Sequence, residues 1–341
     1  MGSDLRCLII APQWIGDAVM TEPLLRRLAA RGERLTVGAL PWVAPVYRAM
    51  AQVAEVIEFP FAHGGLQFKA RHSLARKIEG QFDVAYICPN SLKSALLPFL
   101  ASIPKRVGYL GEARVGLLTH RLKNPPKKQR PAMVAFYSAL SGDGDIDSDR
   151  PQLQLKSDEL EQGLQQLGLQ RGGYDVMAPG AEFGPAKRWP AAHFAELAQQ
   201  LDRSVVLLGS GKEFDLCDEI AASVNARTPD KCLNLAGTTT LAQAFAAIAA
   251  ARCVISNDSG LMHVAAAFGV PQVALFGSSS PLHTPPLNAK AAVLWLKNDP
   301  ELRPALDCAP CFERVCPLGH TRCLNAITPA MVLQGLLRVT R

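Results

Sequence analysis

Short apolar runs recur along the chain at near-regular intervals, and between them lie longer stretches whose apolar positions follow a helical period. In the first half the runs fall at Leu5 to Ala11, Leu35 to Ala39, Val56 to Phe59, Val84 to Ile87 and Val107 to Tyr109, separated by amphipathic segments of about 10 to 15 residues. In the second half they fall at Val176 to Ala178, Val205 to Leu208, Leu233 to Leu235, Val254 to Ser256 and Val273 to Phe276. Alternation of strand-sized and helix-sized segments predicts parallel βαβ units and an α/β fold. Between the two series the pattern breaks. A basic segment follows Tyr109, an acidic turn starts at Ser141, and Ser157 to Leu167 reads as a helix ended by Gln170-Arg171-Gly172-Gly173, where the linker is placed. The expectation is one doubly wound domain over residues 1–168, a second over 174–327, and a closing amphipathic helix in 328–341 that starts at Thr328-Pro329.

The stretch from Cys253 to Gly277 is the clearest unit. An apolar run suited to a buried strand turns on Asn257-Asp258-Ser259-Gly260, continues as an Ala-rich helix, stops at Gly269 and Pro271, and enters a second apolar strand. Asn257, Asp258 or Ser259 can cap this helix. Gly260 lets backbone approach a ligand, so unpaired N–H groups and the positive end of the helix dipole converge where an anion fits. The same strand, glycine turn and helix start recur at Pro12-Gln13-Trp14-Ile15-Gly16-Asp17, with the helix running to about Arg31. Ligands of open parallel sheets bind at the carboxyl ends of the strands. The loops that matter therefore follow Ala11, Ala178, Leu208, Leu235, Ser256 and Phe276.

Composition narrows the class without naming the reaction. A length of 341 residues suits two domains of about 150 each. The longest apolar stretches, Leu241 to Ala251 and Val264 to Phe276, fall short of the roughly 18 to 20 residues of a membrane span. The N-terminus carries no leader-like apolar segment, so the expected compartment is cytoplasmic. A net charge of +6 matters mainly through Lys123, Lys127, Lys128 and Arg130, gathered on a proline-stiffened loop that either is simply solvated or meets an anionic partner. Aromatic residues make up only 6% and do not alternate with the basic ones, which argues against single-stranded nucleic acid, and no nucleic-acid partner is expected. Cys7, Cys88, Cys217, Cys232 and Cys253 lie in apolar or helical surroundings and read as small core residues. Cys308, Cys311, Cys316 and Cys323, spaced C-x2-C-x4-C-x6-C on a loop with Pro310, Pro317 and Gly319, match no familiar zinc ribbon closely. No metal and no cofactor are expected, a structural zinc at these four being the minority reading.

Neither a Walker loop, a dinucleotide fingerprint, a zinc-protease helix nor a hydrolase elbow is present, so hydride transfer and hydrolysis lose support. What remains is a set of polar loops at strand ends. Trp14-Ile15-Gly16-Asp17, Asn90-Ser91-Leu92-Lys93-Ser94-Ala95, the segment Pro179 to Pro190 and Asn257 to Ala266 resemble the signatures of glycosyltransferase family nine, over nearly the whole chain. Phe183 to Trp189 points within it to the type II ADP-heptose:lipopolysaccharide heptosyltransferases. The basic segment from Asn124 and the cysteine cluster depart from the family pattern.

The resemblance implies the GT-B fold, with two Rossmann-like domains facing a cleft, and an inverting transfer of heptose. The donor would be ADP-L-glycero-β-D-manno-heptose. The acceptor would be heptosyl-Kdo2-lipid A, met peripherally at the cytoplasmic face of the inner membrane. A sugar hydroxyl is a poor nucleophile at neutral pH, so a carboxylate must take its proton, and Asp17 is the candidate in place of a plain helix cap. Departing ADP needs its charge neutralised, by Lys187 and by the N–H groups of Ser259, Gly260 and Leu261. Asp258 is expected to cap the helix or to accept from a heptose hydroxyl; His263 is either a core histidine or a phosphate contact. Gly180, Glu182 and Gly209 fall to the donor side, Glu213 to the ribose, and Thr239 to the adenine turn. Gly16, Asn90 and Lys93 fall to the acceptor side. The alternatives are another family-nine transferase of core assembly, or a noncatalytic nucleotide-sugar-binding protein.

Overall fold

The structure, a computed structural model, describes residues 5–61, 65–126, 129, 131–143 and 150–340. Among them are twelve strands in two six-stranded sheets. The first contains β1 (Arg6–Ile10), β2 (Arg34–Ala39), β3 (Val53–Glu58), β4 (Val84–Ile87), β5 (Lys105–Tyr109) and β6 (His120–Leu122), in the order β3-β2-β1-β4-β5-β6. The second contains β7 (Tyr174–Ala178), β8 (Ser204–Leu207), β9 (Cys232–Asn234), β10 (Val254–Asn257), β11 (Gln272–Phe276) and β12 (Ala291–Trp295), in the order β12-β11-β10-β7-β8-β9. Every neighbouring pair is parallel. Each half is thus a doubly wound α/β sheet, with its order reversing at the central strand, which is the two-part GT-B architecture expected.

Burial explains why these runs are strands. β1, β4, β7, β10 and β11 are buried along nearly their whole length, as strands covered on both faces must be. In the first unit Leu8, Ile10, Ala85 and Ile87 pack on Ala95 and Leu97 of the helix Leu92–Leu100. In the second, Val205, Leu207, Ile255 and Val273 pack with Phe194 and Trp189, whose indole N–H donates to the Ile327 carbonyl at 2.8 Å. A fully buried aliphatic side chain is worth about 1.5–3 kcal/mol, whereas an exposed ion pair such as Arg6 with Asp83 is screened by solvent and adds little. The sheet cores, not the surface charges, hold these units.

Three expectations shift. The helix foreseen from the first glycine turn to about Arg31 is two, Ile15–Met20 and Glu22–Ala30. Pro23 has no N–H for the Val19 carbonyl, and the Thr21 hydroxyl bonds back to Ala18 at 2.7 Å. The compact units are Met1–Gln154 and Leu155–Arg341, so the helix Ser157–Leu167, expected to end the first domain, is part of the second. It lies so close to the helix Leu241–Ala249 that a Cβ on Gly163 would stand 2.5 Å from that of Ala246. Finally, β6 and β12 were not foreseen; β6 is three residues, His-Arg-Leu, at a sheet edge, too short and polar to register as an apolar run. Lys127, Lys128, Arg130 and the acidic turn beyond Asp143 lie outside the described residues.

Candidate active site

The centre of the second unit is the turn where β10 ends. Asn257 is fully buried, and its side chain ties down both ends of the loop that follows β7. Its Nδ2 donates to the Pro179 carbonyl at 2.7 Å, and its Oδ1 accepts the Trp189 N–H at 3.0 Å. A buried amide with both ends satisfied is a rigid strut. Between the clamped ends lies the single 3-10 turn Pro185–Lys187, and from it Lys187 Nζ donates to Asp258 Oδ2 at 2.5 Å. The ammonium also sits 5.2 Å from the centre of the Phe183 ring. The carboxylate is nearly buried and the lysine side chain 17% exposed, so Lys187 keeps one open face.

This corrects the expectation for the helix start. None of Asn257, Asp258 and Ser259 caps the helix Gly260–Ala267 through a side-chain bond, and Ser259 stands at the N-cap position without one. Asn257 is spent on the preceding loop, and Asp258 on Lys187, with Thr284 Oγ1 donating to its second oxygen at 3.4 Å. The helix start at Ser259, Gly260 and Leu261 therefore carries no side-chain cap from this turn, and Lys187 is anchored beside it.

One turn into that helix, His263 is buried. Burial, first, and then the nearby Lys187 charge drive its imidazole down to about 4, with Asp258 opposing. It is neutral at pH 7. Because its folded value lies below the ordinary 6.5, the unfolded chain gains a proton between 6.5 and about 4 that the folded chain does not. Stability should accordingly fall across that window on acidification, and His263→Gln should flatten the fall in urea midpoints measured from pH 7 to 4. Parallel curves for the two proteins would remove His263 from the account.

The remaining residues expected on the donor side form a second tier. Glu213 is buried, and its Oε2 accepts the Ser210 N–H at 2.8 Å and the Ser210 hydroxyl at 3.1 Å, closing a capping box. A Cβ on Gly180 would lie 1.9 Å from Glu213 Oε1, so the carboxylate could not keep its place beside any larger residue there, whereas one on Gly209 would stand 3.0 Å from Oε2, a tight fit. Glu182 pairs with Lys212 at 2.6 Å on the surface. Thr239 is half-buried in the turn after β9, where Gly237, in a left-handed conformation, rests against Gly211.

The four clustered cysteines line one pocket together with Ala186, Ser278 and His320, and Cys323 lies in a helical turn, Arg322–Asn325, where only loop was foreseen. The thiols are unpaired, and among the described residues no group of three His, Cys, Asp or Glu is placed to hold a metal. The loop has a visible mechanical role. The Arg314 carbonyl accepts the Ala186 N–H at 3.0 Å, the Arg314 guanidinium covers Phe183 at 5.2 Å, and Phe312 N–H donates to Ser278 at 2.7 Å. Gly184, with φ +154, lets the Arg314 carbonyl approach; a Cβ there would stand 2.4 Å from that oxygen. Gly184→Ala should displace the Lys187 turn and lower kcat/KM about tenfold or more, with modest loss of Tm. Wild-type kinetics in that variant would show that the brace is dispensable.

In the first unit, Gly16 is buried and Asp17 half-buried in the first turn of Ile15–Met20; Trp14, not Asp17, holds the N-cap position. Asn90 and Lys93 lie on the β4 loop and the first turn of the next helix, both half-buried. That loop is held by Arg114, a residue the sequence reading missed. It is fully buried and donates to the Pro89 carbonyl at 2.6 Å, to Asn90 Oδ1 at 2.9 Å and to the Tyr109 carbonyl at 2.8 Å. Burial pulls its guanidinium down to about 10. Asn90 Nδ2 in turn donates to Asn124 at 3.2 Å. No local period announces a buried arginine; Asn257, by contrast, was visible as the polar residue at a strand end.

Comparison with known proteins follows the same loops. The family model described as glycosyltransferase family 9 (heptosyltransferase) matches residues 71–321. The chain is 41% identical over 348 residues to lipopolysaccharide heptosyltransferase 2 of Escherichia coli K12, covering 97% of both chains, and 42% identical to that of Salmonella typhimurium, again covering 97% of both. The solved structure of E. coli ADP-heptose lps heptosyltransferase II superposes with a TM-score of 0.82 at 39% identity, covering 98% of each chain. A family 9 transferase from Veillonella parvula, at 21% identity and a TM-score of 0.81, shares the fold. Matched over most of its length by the family model and over nearly all of it by these relatives, the chain belongs to glycosyltransferase family 9, the heptosyltransferases.

Proposed function

We propose that this heptosyltransferase moves L-glycero-D-manno-heptose from ADP-heptose to the first heptose of the lipopolysaccharide inner core, with inversion at the anomeric carbon. The near-full-length likeness to heptosyltransferase 2 proteins carries this reading. Asp17 takes the proton of the acceptor hydroxyl as it attacks. Lys187 and the N–H groups at Ser259, Gly260 and Leu261 receive the charge that grows on the departing diphosphate. Asp258 keeps the ammonium in place until the diphosphate arrives, and the neutral His263 adds no competing charge. Gly180, Glu182, Gly209, Glu213 and Thr239 shape the nucleoside end; Gly16, Asn90 and Lys93 serve the acceptor.

The deciding experiment is ADP release from ADP-heptose with heptosyl-Kdo2-lipid A, with Kdo2-lipid A, and with no acceptor. Release that depends on the heptosylated acceptor is the expected result. Equal use of the unheptosylated acceptor would make this another transferase of core assembly, and no release under any condition would make it a binding protein.

Among the described residues no helix is long and apolar enough to cross a membrane. We place the enzyme peripherally at the cytoplasmic face of the inner membrane, where Lys123, Lys127, Lys128 and Arg130 steer it to an anionic acceptor. Such attraction is screened over about 10 Å at 0.1 M salt. Neutralising the four should raise the acceptor KM, reduce its salt dependence and leave the ADP-heptose KM alone. An unchanged acceptor KM and salt dependence would return the loop to a solvated turn.

A further inference from the structure

Asp17 is backed by three protic side chains from three other parts of the first unit. Tyr137, on the helix Met133–Ser138, is 4% exposed, and its side chain hydrogen-bonds that of Asp17. Tyr47, on the helix Ala44–Arg48, is fully buried, and its hydroxyl lies 3.2 Å from Thr21 Oγ1. Cys88, just past β4, is 2% exposed. The helices bearing Tyr137 and Tyr47 both pack on the helix bearing Asp17. Burial, reinforced by the Asp17 charge, pushes the Cys88 thiol up to about 12 and both phenols well above their ordinary value. All three stay protonated at neutral pH. The wall behind Asp17 therefore has protons to donate and no negative charge of its own.

We infer that Tyr137 is the positioning residue for Asp17: its buried hydroxyl holds one carboxylate oxygen, leaving the other to meet the acceptor hydroxyl. The inference rests on the reading of Asp17 as the general base. An aspartate has two side-chain torsions, and a base that swings out of line spends its time away from a near-attack geometry. A donor locked in the core removes that freedom. A hydrogen bond to the ionised carboxylate also favours that form, so losing the bond favours protonation and leaves less base available at a given pH. Tyr47 is the internal control. It is as deeply buried and as close to the same helix, but its hydroxyl is engaged by Thr21.

The test compares Tyr137→Phe, Tyr47→Phe and Asp17→Asn. For Tyr137→Phe we expect kcat to fall about tenfold and the acidic limb of kcat against pH to move up by about one unit, with ADP affinity unchanged. Tyr47→Phe should keep the wild-type limb. Replacing Tyr137 by a fluorotyrosine preserves the shape and strengthens the donor, and should move the limb to lower pH. If Asp17→Asn is inactive while Tyr137→Phe keeps the wild-type kcat and limb, the positioning role is overturned and the base survives. If both phenylalanine variants lose activity equally and the limb stays put, Tyr137 is packing only. If Asp17→Asn turns over normally, the base reading itself fails and this inference goes with it.

Discussion

Asp17→Asn should lower kcat by about 10² to 10⁴ while the affinity for ADP-heptose stays near the wild-type value. The substitution changes the shape of the side chain little. It keeps an oxygen for the Tyr137 hydroxyl and removes only the capacity to take a proton. The residue is half-buried in the first turn of its helix, so replacement costs the core little, and a loss of Tm by more than a few degrees is not expected. In the proposed function the donor is bound by residues of the second unit, which is why its affinity should be spared. Steady-state kinetics with ADP binding measured separately by calorimetry checks both parts. Near-normal turnover would reject Asp17 as the base, and an equal collapse of donor affinity would show that the substitution disturbs more than the proton transfer.

Lys187→Ala should weaken ADP binding more than tenfold and lower kcat/KM by about 10² to 10³. The effect is expected to exceed that of deleting one phosphate contact, because the structure pairs Lys187 with Asp258 at 2.5 Å. Removing the ammonium strands a nearly buried carboxylate beside the position proposed for the diphosphate. Breaking one half of a sheltered pair is costly for that reason. The double variant Lys187→Ala with Asp258→Asn should therefore recover part of the ADP affinity lost by the single one, which a double-mutant cycle reads directly. Asp258→Asn alone should leave the lysine charged but less well held, and so affect kcat/KM less than loss of the lysine. Unchanged ADP affinity together with unchanged turnover in Lys187→Ala would place the residue outside the site.

The spacing of apolar runs by itself determined ten of the strands, their parallel βαβ connections and the two-part α/β class. The physical reason is local: a strand covered on both faces must be apolar along its length, and glycine or asparagine must stand where it turns into the next helix. The same locality put Gly16-Asp17, Gly180, Gly209 and Asn257 to Gly260 at the carboxyl ends of strands, where ligands of such sheets bind. What the tertiary structure alone decided is which of these polar groups meet. Lys187 and Asp258 are 71 positions apart, Asn257 and Pro179 are 78, and they are joined because β7 and β10 run side by side in register. Asp258 looked like a helix cap in the sequence because capping is the commonest use of an aspartate at that position; the lysine that claims it arrives from a distant loop. Arg114 and Tyr137 gave no local sign at all, since a charge or hydroxyl can be buried only where the fold delivers partners to it. The helix Ser157–Leu167 follows the first series in the chain yet packs with the second, because Gly163 offers a close approach to Ala246. Periodicity reports which face of an element is buried, and contacts made across the fold determine against what.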